Sequence, residues 1–144
     1  MKGSRIAALV AACAAVAAIS GAVAQTGTAL EAVEVKYTPN PFGEGALLSG
    51  PLDRPVLYTQ RVHLKAGGLV PPHTHPDTRY TTVLSGTLYV CTGDTVAADA
   101  VKAFPAGSFI ITPANVVHCS WAKDGDVVYQ ESGIGPTATN LLKK

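Results

Sequence analysis

The chain has 144 residues, of which 47% are hydrophobic and only 15% are charged, and its formal charge is +1. This length suits one domain with a sizeable core. The composition excludes intrinsic disorder. Because 11 basic residues face 10 acidic ones, there is no basic stripe for an electrostatic nucleic-acid interface. We therefore expect a globular domain that binds no nucleic acid.

The first 24 residues have the pattern of a secretory signal peptide. Lys2 and Arg5 precede a long apolar run, and Ala22-Val23-Ala24 forms a small-x-small cleavage site. Removal of residues 1–24 leaves an exported chain of 120 residues that starts at Gln25, carries a charge of −1 and has no membrane span. We therefore predict a periplasmic or extracellular protein.

Two other outcomes stay open for this segment. The 19 residues from Ile6 to Ala24 are long enough to remain as a membrane anchor. Alternatively, Cys13 follows Val-Ala-Ala, as in a lipobox, and becomes a lipid attachment site. Downstream, Cys91 and Cys119 can form a disulfide in an oxidising compartment. A core of this size needs no bridge, however, so we expect two separate buried thiols.

The mature chain is predicted to consist of short β-strands. The segment Val56–Lys65 alternates with a period of two, as a half-buried strand does, and one face carries Val56, Tyr58, Gln60, Val62 and Leu64. His63 lies on the other, polar face and is predicted to be exposed. Further β-rich runs are Tyr80–Leu84, Thr87–Cys91, Ser108–Thr112, Val116–Trp121 and Val127–Glu131.

Turn residues separate these runs, and several short strands at regular spacing predict a sandwich or barrel. Only Thr95–Phe104 has a helical pattern, so one short helical segment is expected. Residues 25–55 are interrupted by Pro and Gly and are predicted to wrap the barrel or to form an edge strand. The tail after Gly133 is predicted to be irregular.

Three histidines indicate a metal site. His73 and His75 are two residues apart, so in an extended segment both side chains point to the same face. His118 lies on another predicted strand, and distant strands become neighbours in a barrel. Three neutral imidazoles with an open coordination position suit catalytic Fe, Mn, Zn, Ni or Cu.

Two spaced motifs resemble those of the cupin family. The first cupin motif is Gly, five residues, His-x-His, three or four residues, Glu, six residues and Gly, and this chain has Gly67, His73-Thr74-His75, Arg79 and Gly86 at those positions. The second is Gly, five residues, Pro-x-Gly, two residues, His, three residues and Asn. Here the matching residues are Gly107, Pro113-Ala114-Asn115, His118 and Ala122.

The resemblance implies an all-β fold, the double-stranded β-helix or jelly-roll barrel of the cupins. It divides the mature chain into an N-terminal arm at 25–45, a barrel at 46–136 and a C-terminal tail at 137–144. Asn115 replaces a turn glycine and is expected in the left-handed conformation. The resemblance also implies a homodimer paired through edge strands.

The chain departs from the family pattern at Arg79, which stands where cupins usually have a metal-binding Glu. Arginine offers only hydrogen-bond donors and cannot bind a metal. Three interpretations are open: Arg79 holds an anionic substrate, forms an ion pair with Asp77 or Glu131, or repels a dication and leaves the site free of metal. The resemblance therefore implies that His73, His75 and His118 are metal ligands, and Asp77 is a candidate fourth ligand.

Other side chains are candidates for the substrate pocket or for contacts to the ligands. Tyr58 and Gln60 share a strand face, and Gln130 lies on the last predicted strand. Phe109, Ile111 and Trp121 either line a hydrophobic cavity or belong to the core. Cys119 follows His118 on a strand and should face away from the metal.

The fold does not decide the function, because cupins include enzymes and binding proteins. The first hypothesis is a metal-dependent, dioxygenase-like oxidoreductase that acts on a small organic or phenolic acid. The alternative is a cupin that binds a metal or a small molecule without turnover, and a third hypothesis is a structural protein with a vestigial site. The catalytic residues cannot be assigned from the sequence.

Overall fold

The computed structural model of the protein describes residues 27–94, 96 and 101–142, so the predicted signal peptide and Cys13 lie outside it. The described chain begins with a 3-10 turn at Ala32–Glu34. The strands that follow are β1 Thr38–Asn40, β2 Gly43–Ser49, β3 Leu57–Leu64, β4 Leu69–Thr74, β5 Arg79–Ser85, β6 Thr87–Thr92, β7 Lys102–Pro105, β8 Phe109–Thr112, β9 His118–Trp121, β10 Val127–Ile134 and β11 Asn140–Leu141.

The strands form two antiparallel sheets. The six-stranded sheet has the order β1-β2-β3-β10-β5-β8, and the five-stranded sheet has the order β11-β4-β9-β6-β7. Consecutive strands therefore often lie in different sheets, as expected of a jelly roll. The prediction of an all-β double-stranded β-helix is confirmed. Among the described residues, no helix has the length and hydrophobicity to cross a membrane.

The core occupies one end of the space between the sheets. Its members come from both sheets and alternate with outward-facing residues along each strand: Leu64, Val70, Val83, Leu88, Ala122, Val127 and Tyr129. On β3 and β10 the inward positions change from apolar to polar along the strand, from Leu64 to Gln60 and from Val127 to Glu131. The barrel therefore has an apolar end and a polar end.

Tight turns set the ends of the strands. Asn115 has a φ of 62°, which confirms the left-handed conformation expected from the sequence. Gly86, between β5 and β6, has a φ of 73°, and a Cβ there would clash with the backbone of Asp126. Glycine suits position 86, because without a Cβ it tolerates both the positive φ and the close approach of the Asp126 backbone.

The helical prediction for Thr95–Phe104 is wrong where the structure describes it. Lys102–Pro105 forms β7, which pairs antiparallel with β6 so that Phe104 faces Leu88. The edge of β6 offers hydrogen bonds to this segment, and the burial of Phe104 against the core favours the extended form over a short isolated helix.

The N-terminal end of the barrel agrees with its prediction, and the C-terminal end is more ordered than predicted. β1 and β2 form the outer edge of the six-stranded sheet, in agreement with the edge-strand alternative for residues 25–55. The tail after Gly133 is not wholly irregular: β10 extends to Ile134, and β11 pairs with β4. Asn140 lies opposite Thr74 and Leu141 opposite His73, so the tail borders the histidine strand.

Cys91 and Cys119 form a disulfide, which differs from the expectation of two separate thiols. The reason is the register: β6 and β9 pair so that these two residues are direct cross-strand neighbours, with Cα atoms 5.1 Å apart. That distance suits a disulfide. Neither cysteine is exposed to solvent.

Removal of this bridge should lower stability. In the Cys91→Ala/Cys119→Ala variant, we expect the free energy of unfolding to fall by about 3–4 kcal/mol, because the 28-residue separation no longer restricts the unfolded chain. Urea denaturation measures the change. Wild-type protein with the disulfide reduced by a dithiol is the control and should match the variant. Equal stability of the variant and the oxidised protein would contradict the prediction.

Candidate metal centre

The structure brings His73, His75 and His118 together on the five-stranded sheet. One nitrogen from each ring lies within 4.8 Å of the others, and all three side chains are buried. The Nε2 atoms of His73 and His75 are 3.1 Å apart. Among the described residues, this is the single group of three or more His, Cys, Asp or Glu side chains with such proximity. The three predicted ligands therefore converge.

Strand register explains this convergence. β4 and β9 are antiparallel neighbours, and His73 lies directly opposite His118. His75 follows the end of β4, and its backbone carbonyl accepts a hydrogen bond from the amide of Asn115 at 2.8 Å. The left-handed turn before β9 thus connects to the His-x-His segment, and the two motifs lie against each other.

Backbone carbonyls orient the three rings. The Nδ1 of His73 is 2.7 Å from the carbonyl of Pro71, and the Nδ1 of His118 is 3.0 Å from that of Val116. The Nδ1 of His75 is 2.7 Å from the carbonyl of Ala138. A carbonyl only accepts, so each Nδ1 carries the proton. Each Nε2 then keeps a free lone pair, as a metal ligand requires.

The environment keeps the rings neutral. Burial lowers the pKa of His73 to about 4, and the neighbouring His118, His75 and Arg79 add to this effect. Burial also lowers the pKa of His118 and of His75, and the Arg79 charge lowers that of His75 further. Neutral imidazoles bind metals without first losing a proton.

Arg79 forms a buried ion-pair network, which agrees with the second interpretation of this residue. Its Nη1 donates to Glu131 Oε2 at 2.5 Å, and its Nε lies 3.3 Å from Asp77 Oδ2. Its Nη2 donates to the hydroxyl of Thr137 at 2.7 Å. That atom is also 3.1 Å from His75 Nδ1, but this nitrogen already donates to Ala138. The guanidinium therefore lies on the Nδ1 side of His75 and does not occupy a ligand position.

Asp77 belongs to this network and not to the metal group. Its carboxylate accepts hydrogen bonds from the hydroxyls of Tyr58, at 2.5 Å, and Thr137. Tyr58 is fully buried, and burial together with the bond to Asp77 raises the pKa of its phenol. Both residues contact Arg79: Asp77 forms an ion pair with it, and the guanidinium carbon is 5.5 Å from the Tyr58 ring centre.

A cavity of about 140 Å³ adjoins the histidines. His73, His75, Arg79, Gln60 and Glu131 contribute to its wall, together with Phe42, Val62 and Tyr129. Gln60 donates a hydrogen bond to Glu131 Oε2 at 3.1 Å. Of the lining residues that the structure describes, Glu131 is the one with a carboxylate.

Several sequence candidates lie elsewhere. Gln130 is on the outer face of β10 and accepts a hydrogen bond from Arg61, so it does not reach the cavity. His63 is on the outer face, as predicted, but it is only partly exposed because its ring nitrogens contact Glu44 and Asp126. Phe109 is 59% exposed, and Cys119 points away from the ligands into its disulfide.

Glu131 was predicted only as an ion-pair partner of Arg79 and not as a residue of the cavity wall, and the C-terminal segment was not predicted to reach the site. Two-residue alternation along β10 would have found Glu131, since it follows inward-facing Tyr129 by two residues. No comparable signal exists for Thr137 and Ala138. Their contacts to Arg79 and His75 depend on the path of the chain after β10.

Comparison with known proteins identifies the barrel. The family model described as a cupin domain matches residues 60–130. The polyketide cyclase RemF from Streptomyces resistomycificus superimposes with a TM-score of 0.65 at 15% identity, over 83% of this chain and 89% of that chain. An uncharacterised protein from Klebsiella pneumoniae with a double-stranded β-helix domain superimposes with a TM-score of 0.62 at 16% identity. The match covers 81% of this chain and 100% of that chain.

The DMSP lyase DddQ from Ruegeria pomeroyi is also similar, with a TM-score of 0.52 at 18% identity over 76% of this chain and 52% of that chain. No curated protein matches the chain. At these identities the likeness to solved structures shows a shared fold, and the site has to be interpreted from its own residues.

Arg79 is expected to be essential for stability. In Arg79→Met, the buried carboxylates of Asp77 and Glu131 lose their counter-charge, so the free energy of unfolding should fall by about 3–5 kcal/mol. The control is Arg61→Met, which removes a hydrogen bond on the outer face and should cost less than ~1 kcal/mol. Denaturant titration of both variants tests this, and equal losses would contradict it.

Proposed function

Because the chain belongs to the cupin superfamily, we propose that it binds a divalent transition metal through Nε2 of His73, His75 and His118. The observation that carries the proposal is the shared orientation of the rings: every Nδ1 faces a backbone carbonyl, and the opposite nitrogens face one another. Three neutral nitrogen ligands suit Fe, Mn, Zn, Ni or Cu.

The charges around the site favour an anionic ligand. Arg79 carries one positive charge, and Asp77 with Glu131 carries two negative ones. The histidines are neutral, so a divalent cation would leave this group with a net charge of +1. A small carboxylate or a phenolate would complete the neutralisation.

The size of the cavity favours a small substrate. Its volume of about 140 Å³ is close to the ~150 Å³ of a cavity known to accommodate benzene. We propose a metal-dependent, dioxygenase-like enzyme that acts on a small organic or phenolic acid. The metal would act as a Lewis acid or activate oxygen.

Glu131 is the group that would exchange a proton with this substrate. Its carboxylate lines the cavity, and two donors, Arg79 and Gln60, fix Oε2. A fixed carboxylate within reach of a bound substrate can act as a general base. Tyr129, also on the cavity wall, is buried, and burial raises the pKa of its phenol, so this hydroxyl stays protonated.

The alternative is a protein that binds a metal or a small molecule without turnover. The engagement of Glu131 favours it, because Oε2 already accepts hydrogen bonds from Arg79 and Gln60. Metal-loaded protein is incubated with a panel of small organic and phenolic acids while oxygen consumption and product formation are monitored. Binding of an acid without oxygen consumption or product formation would support the alternative. Turnover that is lost in Glu131→Gln would support the proposed enzymatic function.

We also propose that the protein is exported after cleavage of residues 1–24. The disulfide between Cys91 and Cys119 supports this, because such bonds persist mainly in oxidising compartments.

Metal binding depends on the three histidines. Wild-type protein dialysed against Zn²⁺ should hold one ion per chain by elemental analysis, and His73→Ala and His118→Ala should each lose at least about tenfold in affinity, since each removes one of three ligands. His63→Ala is the matched control, because His63 lies on the outer face, and it should keep full stoichiometry. A His73→Ala/His118→Ala variant that retains one ion per chain would refute the assigned site.

Export predicts a defined mature N-terminus. Intact-mass analysis of protein expressed with its native leader should give a chain that begins at Gln25 and is 120 residues long. A mass that includes a lipid at Cys13 would indicate a lipoprotein instead. An uncleaved chain in the membrane fraction would indicate an anchor.

A further inference from the structure

A second, larger space opens on the other side of His118. This groove has a volume of about 360 Å³ and lies where β7, at the edge of one sheet, approaches β8, at the edge of the other. Its wall is mainly apolar, and Val90, Phe104, Ile110, Pro113 and Val116 contribute to it. Because β7 and β8 are not hydrogen-bonded to each other, the barrel remains open along this side.

The groove lies next to the candidate metal centre, because both contact the same small cavity. A small internal cavity shares Val90, Ile110 and His118 with the groove, and it shares Ser120 and Glu131 with the cavity beside the other histidines. Its volume of about 10 Å³ is close to that of one water molecule. His118 thus stands between a polar cavity and an apolar groove, and the space between them is about the size of one water molecule.

The described wall of the groove carries one positive charge. Lys102 is exposed at the rim, and its Nζ lies 5.1 Å from the centre of the Phe104 ring. Of the groove-lining residues that the structure describes, none is acidic. An anion approaching this side is attracted by Lys102, while the apolar wall favours a hydrophobic body.

We propose that the groove holds the apolar body of an amphiphilic carboxylate, such as an unbranched alkanoate, whose carboxylate lies at the three-histidine site. The apolar walls exclude water from the hydrocarbon part. The narrow connection beside His118 selects against branching next to the carboxylate. This inference rests on the proposed metal site and names the substrate class that the site would take.

The test compares straight-chain carboxylates from acetate to octanoate. Each competes with the fluorescent apolar anion anilinonaphthalene sulfonate for the metal-free and the Zn²⁺-loaded protein. We expect each added methylene to lower Kd by about three- to fourfold until the groove is filled. We expect Zn²⁺ to tighten octanoate binding at least about tenfold through its carboxylate.

Variants locate the binding. Phe104→Ala should reduce the effect of chain length while zinc stoichiometry stays at one, because Phe104 lines the groove and is not one of the three metal ligands. Thr92→Trp, at an exposed lining position, should block the groove and give the same result. Phe109→Ala, on the outward face of β8, is the control and should behave as wild type.

The outcomes separate the two proposals. Binding that is independent of chain length, or that is unchanged in both groove variants, overturns the groove proposal even if zinc binds. If Kd depends on chain length in the metal-free protein but Zn²⁺ does not change it, the carboxylate does not lie at the three-histidine site. That result overturns the placement of the carboxylate and leaves the apolar binding site in the groove. A branched isomer that binds as tightly as its linear counterpart contradicts the narrow connection.

Discussion

The buried guanidinium of Arg79 holds together the polar end of the barrel. It joins β5 to β10 through Glu131, and it joins both strands to the C-terminal segment through Thr137. A lone charge at this depth would be costly, and two carboxylates and a hydroxyl offset that cost. The position that carries a ligand carboxylate in most cupins therefore has a structural role here, and the carboxylate that faces the cavity comes from β10.

This arrangement divides the inside of the barrel into two layers. Leu64, Val83 and Val127 fill the apolar layer, and the same strands place Gln60, Arg79 and Glu131 in the polar layer. Because side chains alternate along a strand, inward positions four residues apart on these strands face the same side of the sheet but lie in different layers. The rigid apolar layer anchors the strands, so the histidines converge without a loop having to close over them.

The sequence predicted the parts that depend on local spacing. The two-residue separation of His73 and His75 and the turn at Asn115 are local, and the match to two motifs placed His118 beside them. The environment of Arg79 was left open between three interpretations because its partners are far away in the chain. Glu131 is 52 residues from Arg79, and Thr137 is 58 residues from it. The register of β6 with β9, which pairs Cys91 with Cys119, is likewise a property of the whole sheet.

β9 connects this register to the site. His118 faces inward towards the other histidines, and the next residue, Cys119, faces outward and is bonded to β6. β9 is thus held on one side by pairing with β4, opposite His73, and on the other by the disulfide. A ligand that is fixed between two neighbouring strands needs little rearrangement when it binds a metal. The covalent bond that suits an oxidising compartment therefore also stabilises the strand that supplies the third histidine.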